Sequence, residues 1–580
     1  MRSLLTSVFT CCICLTVTAQ TFRYTEFIAP SATVTPNVVY GQAPFLNFPY
    51  SDETSTTTAN LVMDVYEPAG DNHNRRPAII FAHSGGFLTG NRNHDDMVAL
   101  CDSFARKGYV TATIDYRKGF YVFNNVPLHG TRAVYRGVQD GRAAVRFLRS
   151  NAAAYGIDPD RVYMGGSSAG SFIALQAIYL SSPDEVPEET GVQTYTDFFT
   201  PVTTPDLGPI DVGANLNVSG TPNGVVALWG AVAEPDWVDA SDDQPVFLAH
   251  GTDDSTVPFD VGPPFSSNAF PDVYGSSVIA GELAANGTAD FGTYFVPGGE
   301  HEFYGTTNGN WSNGVGPNAR WDTLLNLVTP FLWEQHRPEA DWSFTTSGLT
   351  ASFEDLTPAA VNQFWDFGDG NTATGSSPSH TYATAGTYAV RLYVENDLLS
   401  YDTLTQNVTV EFATLPLTWL GAPRATSAGK DINVQWAVRD MVGVGRFVVE
   451  HTTSGINWTP LGTVSADGSP SPLFNYLHPA PAAGPHFYRI RAEDHDGTLH
   501  YSPVGMINLH GKPQVYPNPT TGLVTVTDAE ETNTITVTDV LGRVYELPVD
   551  AAVNADLSSL PAGLYRVTVR DKSWPVLLRK

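Results

Sequence analysis

Gly166-Ser167-Ser168-Ala169-Gly170 follows the apolar run Arg161-Val162-Tyr163-Met164 and opens onto Ala169-Gly170-Ser171-Phe172-Ile173-Ala174-Leu175-Gln176-Ala177-Ile178. The first run reads as a buried strand and the last as an apolar helix. Between them the backbone turns so sharply that Cβ atoms flanking the central serine would collide, so glycine stands at both flanks. Such a turn presents a hydroxyl, which makes Ser168 the candidate nucleophile. The pentapeptide alone is a weak signal in a chain rich in glycine and serine. The strand before it and the helix after it give it weight against a structural serine in a tight turn.

Working outward, three more strand-to-loop junctions carry chemistry. Val246-Phe247-Leu248-Ala249 runs into His250-Gly251-Thr252-Asp253-Asp254, and Phe295-Val296-Pro297-Gly298-Gly299 runs into Glu300-His301. Upstream, Ala78-Ile79-Ile80-Phe81-Ala82 ends in His83-Ser84-Gly85-Gly86-Phe87. A serine hydroxyl is a poor nucleophile at neutral pH, so a neutral imidazole must take its proton, and a carboxylate must orient that imidazole. The order along the chain is serine, acid, histidine. His301 is the candidate base, and Asp254 or Asp253 the acid. His250 and His83 read as side chains that bond backbone and hold their loops. The histidine spacing offers no metal-binding pattern, so neither a metal nor a cofactor is expected.

These junctions together resemble the α/β-hydrolase esterases, in particular the carboxylesterase and feruloyl-esterase-like branch with an H-G-G-G-type loop. The resemblance covers about Leu61 to Phe331. It extends to Asp64-Val65-Tyr66-Glu67-Pro68, Ala112-Thr113-Ile114-Asp115-Tyr116-Arg117, Gln139-Asp140-Gly141-Arg142-Ala143-Ala144-Val145-Arg146-Phe147-Leu148 and Tyr155-Gly156-Ile157-Asp158-Pro159. It implies a mostly parallel sheet with helices on both faces, and a triad of Ser168, Asp254 and His301. Asp254 is preferred to Asp253 by likeness to relatives with an H-G-T-x-D-x-x-V loop. The resemblance assigns the oxyanion hole to backbone N–H groups of Gly85, Gly86 and Ala169. Ser84 departs from the family, which usually has glycine there, and one lost donor typically costs about 3 to 4 kcal/mol. Dipeptidyl-peptidase-like serine exopeptidases share the residue order and the H-G-T-x-D loop, but no propeller precedes the hydrolase region here.

The formal charge of −29 and pI near 4.7 exclude nucleic acid as a natural partner and fit a solvated, exported surface. Residues 1–20 read as a secretory signal, with cleavage near Gln20 and no convincing lipobox. Three of the four cysteines lie in that signal, leaving Cys101 without an intrachain partner. No other apolar run is long enough for a bilayer, so no transmembrane segment is expected in the mature chain.

The alternating strand and helix signals stop near Phe331-Leu332-Trp333-Glu334-Gln335-His336-Arg337-Pro338, and 580 residues exceed what one core organises. The expected architecture is an α/β-hydrolase domain over 21–337 followed by three all-β sandwiches at 338–411, 412–510 and 511–580. Phe364-Trp365-Asp366-Phe367-Gly368-Asp369-Gly370 with Ser379-His380-Thr381-Tyr382 and Gly386-Thr387-Tyr388-Ala389-Val390 resembles a PKD repeat. Residues 412–510 look fibronectin- or Ig-like. Trp419, Trp436 and Trp458 there read as core residues rather than a sugar platform. Val515-Tyr516-Pro517-Asn518-Pro519, Val537-Thr538-Asp539-Val540-Leu541-Gly542-Arg543 and Leu560-Pro561-Ala562-Gly563-Leu564-Tyr565 resemble the C-terminal sorting domain of type IX secretion. That likeness implies the type IX machinery as a partner, and export to the medium or outer surface of a Gram-negative bacterium.

The expected function is a secreted serine esterase acting through an acyl-enzyme on esters of a polymer, such as acetylated or feruloylated polysaccharide or a polyester. The rivals are the exopeptidase and a surface-binding protein with an inactive hydrolase fold. Phe87, Tyr116, Phe120, Tyr121 and Phe123 are candidates for an acyl pocket. The stretches 181–224 and 259–287 are where a lid or pocket wall would insert.

Overall fold

The computed structural model describes residues 22–580 apart from 49, 51–52, 288–289, 413–416, 467–471, 483, 510–513, 527–533, 551–553 and 571. The expected signal, with Cys11, Cys12 and Cys14, lies outside the described residues. Cys101 is buried and unpaired.

The N-terminal region is built on eight strands: β1 (Ala32–Leu46), β2 (Thr56–Pro68), β3 (Arg76–Ala82), β4 (Val110–Ile114), β5 (Ile157–Ser167), β6 (Val225–Leu228), β7 (Val246–Gly251) and β8 (Phe291–Val296). They lie in the order β1-β2-β4-β3-β5-β6-β7-β8. The first two strands run antiparallel to their neighbours, and the remaining six are mutually parallel. Central strands of such a sheet are covered on both faces, which is why β3 is apolar almost throughout and buried at every position.

Five helices cover the sheet: α1 (Asp95–Arg106), α2 (Val126–Ser150), α3 (Ala169–Tyr179), α4 (Ser276–Asn286) and α5 (Ala319–Glu334). Side chains of β3 alternate between faces, Ile80 joining the layer of α2, α3 and α4, and Ile79 and Phe81 that of α1 and α5. All of α3 is buried, so it is apolar all round rather than striped. It lies close to α2 because Gly137 and Gly141 leave room for Ile173. A Cβ at either glycine would stand 2.9 or 2.7 Å from that side chain.

Local details depart from the sequence reading. The elbow strand starts at Ile157, taking in residues read as preceding it. The second expected wall, 259–287, is not all loop: its last third folds as α4, whose Ile279 and Leu283 enter the core. The first contains a hairpin of Gln193–Asp197 and Thr200–Thr204. It is pinned by Arg132, whose guanidinium donates to the carbonyls of Glu189, Gly191 and Pro205 while pairing with the buried carboxylate of Glu53.

Beyond Pro338 the described chain is all strand and loop, in three further units of paired sheets. Trp342, Phe353 and Trp365 fill the first core, Trp436, Phe447 and Tyr488 the second, and Val524, Val567 and Leu578 the third. Trp436 is therefore a core residue. Trp419 half-buries beside Phe447, and Trp458 carries the Arg489 guanidinium on its ring.

Candidate active site

β5 ends at Ser167 and α3 starts at Ala169, so Ser168 carries the whole change of direction, at φ 52° and ψ −118°. That is strained backbone for a residue with a side chain. It is held there by its N–H bond to the Leu228 carbonyl and by contacts too close for anything but glycine on either side. A Cβ on Gly166 would lie 2.4 Å from the Gly170 carbonyl carbon, and one on Gly170 would lie 2.0 Å from the Ala82 oxygen.

Ser168 Oγ lies 3.0 Å from His301 Nε2, and His301 Nδ1 lies 2.6 Å from Asp254 Oδ2. The other oxygen of Asp254 accepts the N–H groups of Thr256 and Val257. Burial alone would raise the Asp254 pKa. Hydrogen bonds from His250 and His301 and from the Val257 N–H outweigh it and hold the carboxyl well below the usual range. Asp253 instead faces solvent and bonds Thr252. His250 is fixed by Ser276 and the Val257 carbonyl, and it approaches Asp254 at 3.3 Å. His83 bonds the Ser84 carbonyl through Nδ1 and stacks on Tyr116, and burial pushes its pKa down to about 3.

In the loop after β3, Ser84 does not take up left-handed backbone. That hydroxyl turns inward toward His94, while Gly85 and Gly86 adopt φ 123° and 58°. Gly86 and Ala169 line one cavity with Ser168, and the carbonyl of the preceding Gly85 accepts from Leu88 and Thr89. The cavity holds about 410 Å³. The apolar part of its wall includes Phe87, Phe120, Phe172, Trp237, Val257 and Phe265. Of the five aromatics singled out from sequence, Phe87 and Phe120 are in this wall. Tyr116 lies under His83, Tyr121 bonds Asp197, and Phe123 is exposed.

Sequence reasoning missed a buried support beneath the elbow. Asp96, on α1, accepts the Tyr304 hydroxyl at 2.8 Å and the Ser167 hydroxyl at 3.4 Å. Burial raises its pKa to about 7, against the pull of those bonds. Tyr304 and Phe303 pack edge-on to Trp229, which also meets the His301 ring. Of the two glutamates flanking His301, Glu300 is exposed, while Glu302 is buried and accepts the Gly309 N–H. Nothing in a single sequence marks Asp96, because its partners come from elements up to 208 residues away.

Sheet order, the covering helices and the elbow give the N-terminal region an α/β-hydrolase-like fold. Residues 63–268 match the BD-FAE family model, residues 336–411 the PKD domain, and residues 514–578 the secretion system C-terminal sorting domain. Three separate stretches of the chain are thus similar to a BD-FAE domain, a PKD domain and a secretion-system sorting domain. Among curated proteins it is similar to neuroligin-like protein glit-1 of Caenorhabditis elegans, 28% identical over 26% of this chain and 20% of that one. It is also similar to carboxylesterase 3B of Mus musculus, 32% identical over 23% of this chain and 22% of that one. The chain therefore spans about a fifth of the length of these relatives. Among solved structures, esterase 2 of Thermogutta terrifontis phosphoramylated by tabun aligns at 22% identity and TM-score 0.34, over 53% of this chain and 95% of that one. Among the described residues no His, Cys, Asp or Glu group is arranged to hold a metal, and no helix is long and apolar enough to cross a membrane.

Proposed function

We propose that the chain is a secreted carboxylic-ester hydrolase working through an acyl-enzyme. The observation that carries this reading is the unbroken hydrogen-bonded run from Ser168 through His301 to Asp254, opening on an apolar cavity. In the proposed mechanism His301 Nε2 takes the Ser168 proton as Oγ attacks the ester carbonyl carbon. Asp254 holds Nδ1–H and stabilises the imidazolium. Negative charge on the carbonyl oxygen falls to the N–H groups of Gly85, Gly86 and Ala169, the last at the start of α3, whose dipole favours an anion. The imidazolium returns its proton to the departing alkoxide, leaving the acyl group on Ser168. Water, deprotonated by His301, then releases the acid.

A polymer-borne ester is the proposed natural substrate, whether acetylated or feruloylated polysaccharide or a polyester, because a chain with a sorting tail meets its substrate outside the cell. The test is p-nitrophenol release from acetate, butyrate and octanoate esters, with methyl ferulate alongside, by the purified protein and by Ser168→Ala. Turnover that the substitution lowers at least about 10⁴-fold supports the serine mechanism. Turnover of peptide p-nitroanilides instead of esters would move the reading to an exopeptidase. A folded protein that hydrolyses neither would leave a binding role.

A further inference from the structure

The cavity above Ser168 has a mouth of one sign. Asp184, Glu188 and Glu189 come from the segment after α3, Glu234 follows β6, and Asp272 precedes α4, so carboxylates enter from three separate stretches. All five are exposed, and none is in a salt bridge among those between described residues. Among the described residues no lysine or arginine lines the cavity, and the imidazole at its serine is that of His301. The guanidinium behind the wall, Arg132, is fully buried and already paired with Glu53, a carboxylate it shares with Arg136 and His129. The apolar floor and the acidic mouth therefore make separate demands on a ligand.

Resting on the esterase reading, the geometry points to selection by charge. The site takes esters whose group inside the mouth is uncharged or cationic, and turns away those carrying a carboxylate, phosphate or sulfate there. An anionic group within about 8 to 10 Å of several unpaired carboxylates is repelled by each of them, and low-dielectric walls focus the effect. Salt weakens it, because the Debye length is about 8 Å at physiological ionic strength. An uncharged acyl chain or ring meets only the apolar wall. The same field acts on the product: hydrolysis adds water across the ester bond, the freed acid loses its proton at neutral pH, and the carboxylate then leaves through a mouth that repels it.

The experiment compares p-nitrophenyl hexanoate with mono-p-nitrophenyl adipate, which has the same chain length and a terminal carboxylate, on the full chain. Expected is a kcat/KM ratio favouring hexanoate by roughly 10- to 100-fold at about 20 mM salt, shrinking several-fold at about 0.5 M. The variant Glu188→Gln/Glu189→Gln/Glu234→Gln is expected to shift the ratio toward adipate about tenfold. Equal kcat/KM for the two esters at low salt overturns the charge selection and leaves the esterase standing. So does a ratio that neither salt nor the triple variant moves. A folded protein inert on hexanoate overturns the esterase reading and the charge selection with it.

Discussion

His301 meets Asp254 at 2.6 Å because their loops leave adjacent parallel strands at the same level, Gly251 of β7 lying opposite Val296 of β8. Asp254 comes three residues after its strand and His301 five after its own, so neither needs a long excursion. Ser168 follows β5 at the same carboxyl edge of the sheet, where ligand sites of open α/β sheets are found.

Asp254→Asn should lower kcat on p-nitrophenyl butyrate by about 10³- to 10⁴-fold with a much smaller change in KM, since the amide no longer stabilises the imidazolium. Asp253→Asn should stay within about twofold, because the exposed Asp253 contacts neither His301 nor the cavity. Equal losses at the two positions would remove Asp254 from its assigned role.

The depressed pKa of Asp254 has a signed consequence for stability. The unfolded carboxyl titrates near pH 4, so its hydrogen bonds contribute fully above that value and are lost as pH falls through the lower folded value. Glu53 acts in the same direction: against the cost of burial, His129, Arg136 and Arg132 hold its pKa down to about 2. Urea titrations below pH 4 should show Glu53→Gln losing less stability on acidification than the parent does. A parallel pH dependence would mean that the Glu53 cluster is not ionised as described.

The junctions carrying Ser168, His301 and Asp254 were legible in sequence because a strand running into a short loop leaves a local signal, and because the elbow needs glycine at 166 and 170. The α4 helix was not. Its glycine and small residues interrupt the apolar pattern, and its ordering comes from Ile279 and Leu283 packing into a distant core. Asp96 was invisible for the same physical reason: a buried carboxylate is defined by Tyr304 and Ser167, neither of them its neighbour in sequence. The acidic mouth was present in composition, but only the fold brings Glu188, Glu234 and Asp272 around one opening.

Two glycine substitutions separate close approach from mere flexibility. Gly170→Ala should cost about 3 kcal/mol or more and abolish turnover, because its Cβ would meet the Ala82 carbonyl at 2.0 Å. Gly281→Ala, in α4 with nothing within 4 Å, should stabilise by about 0.5 to 1 kcal/mol. Chemical denaturation of both variants checks the contrast, and a well-tolerated Gly170→Ala would contradict the packing at the elbow.

Asp96 should impose the opposite pH trend. Its folded pKa, raised to about 7 by burial, exceeds the unfolded value near 4, so the folded state holds an extra proton between them. Stability from this group is full below about pH 4 and declines through pH 7, on the order of a few kcal/mol in all. Asp242, raised by burial to about 6, works in the same window, so the informative quantity is the difference between the parent and Asp96→Asn. That difference should move in favour of the variant on going from pH 5 to pH 8. A constant difference would mean that Asp96 is ionised throughout.

The PKD domain is bonded to the hydrolase through buried groups, which bears on whether it is dispensable. Tyr24 donates to the Leu398 carbonyl, His336 bonds Ser400 on one side and Tyr109 on the other, and Arg337 pairs with Asp402. Trp333 packs on Tyr401. Ending the chain at Pro338 takes Leu398 from Tyr24 and Ser400 from His336, which keeps Tyr109, and each bond lost costs about 0.5 to 1.5 kcal/mol. The truncated hydrolase should therefore melt about 5 °C or more below the full chain. It should still turn over p-nitrophenyl butyrate at a similar kcat/KM below that temperature, because no described residue beyond 338 lines the cavity. Differential scanning calorimetry and initial rates on the two chains separate the effects. An unchanged melting temperature would deny the interface its stabilising role, and lost turnover in a folded truncation would give the PKD domain a part in the site.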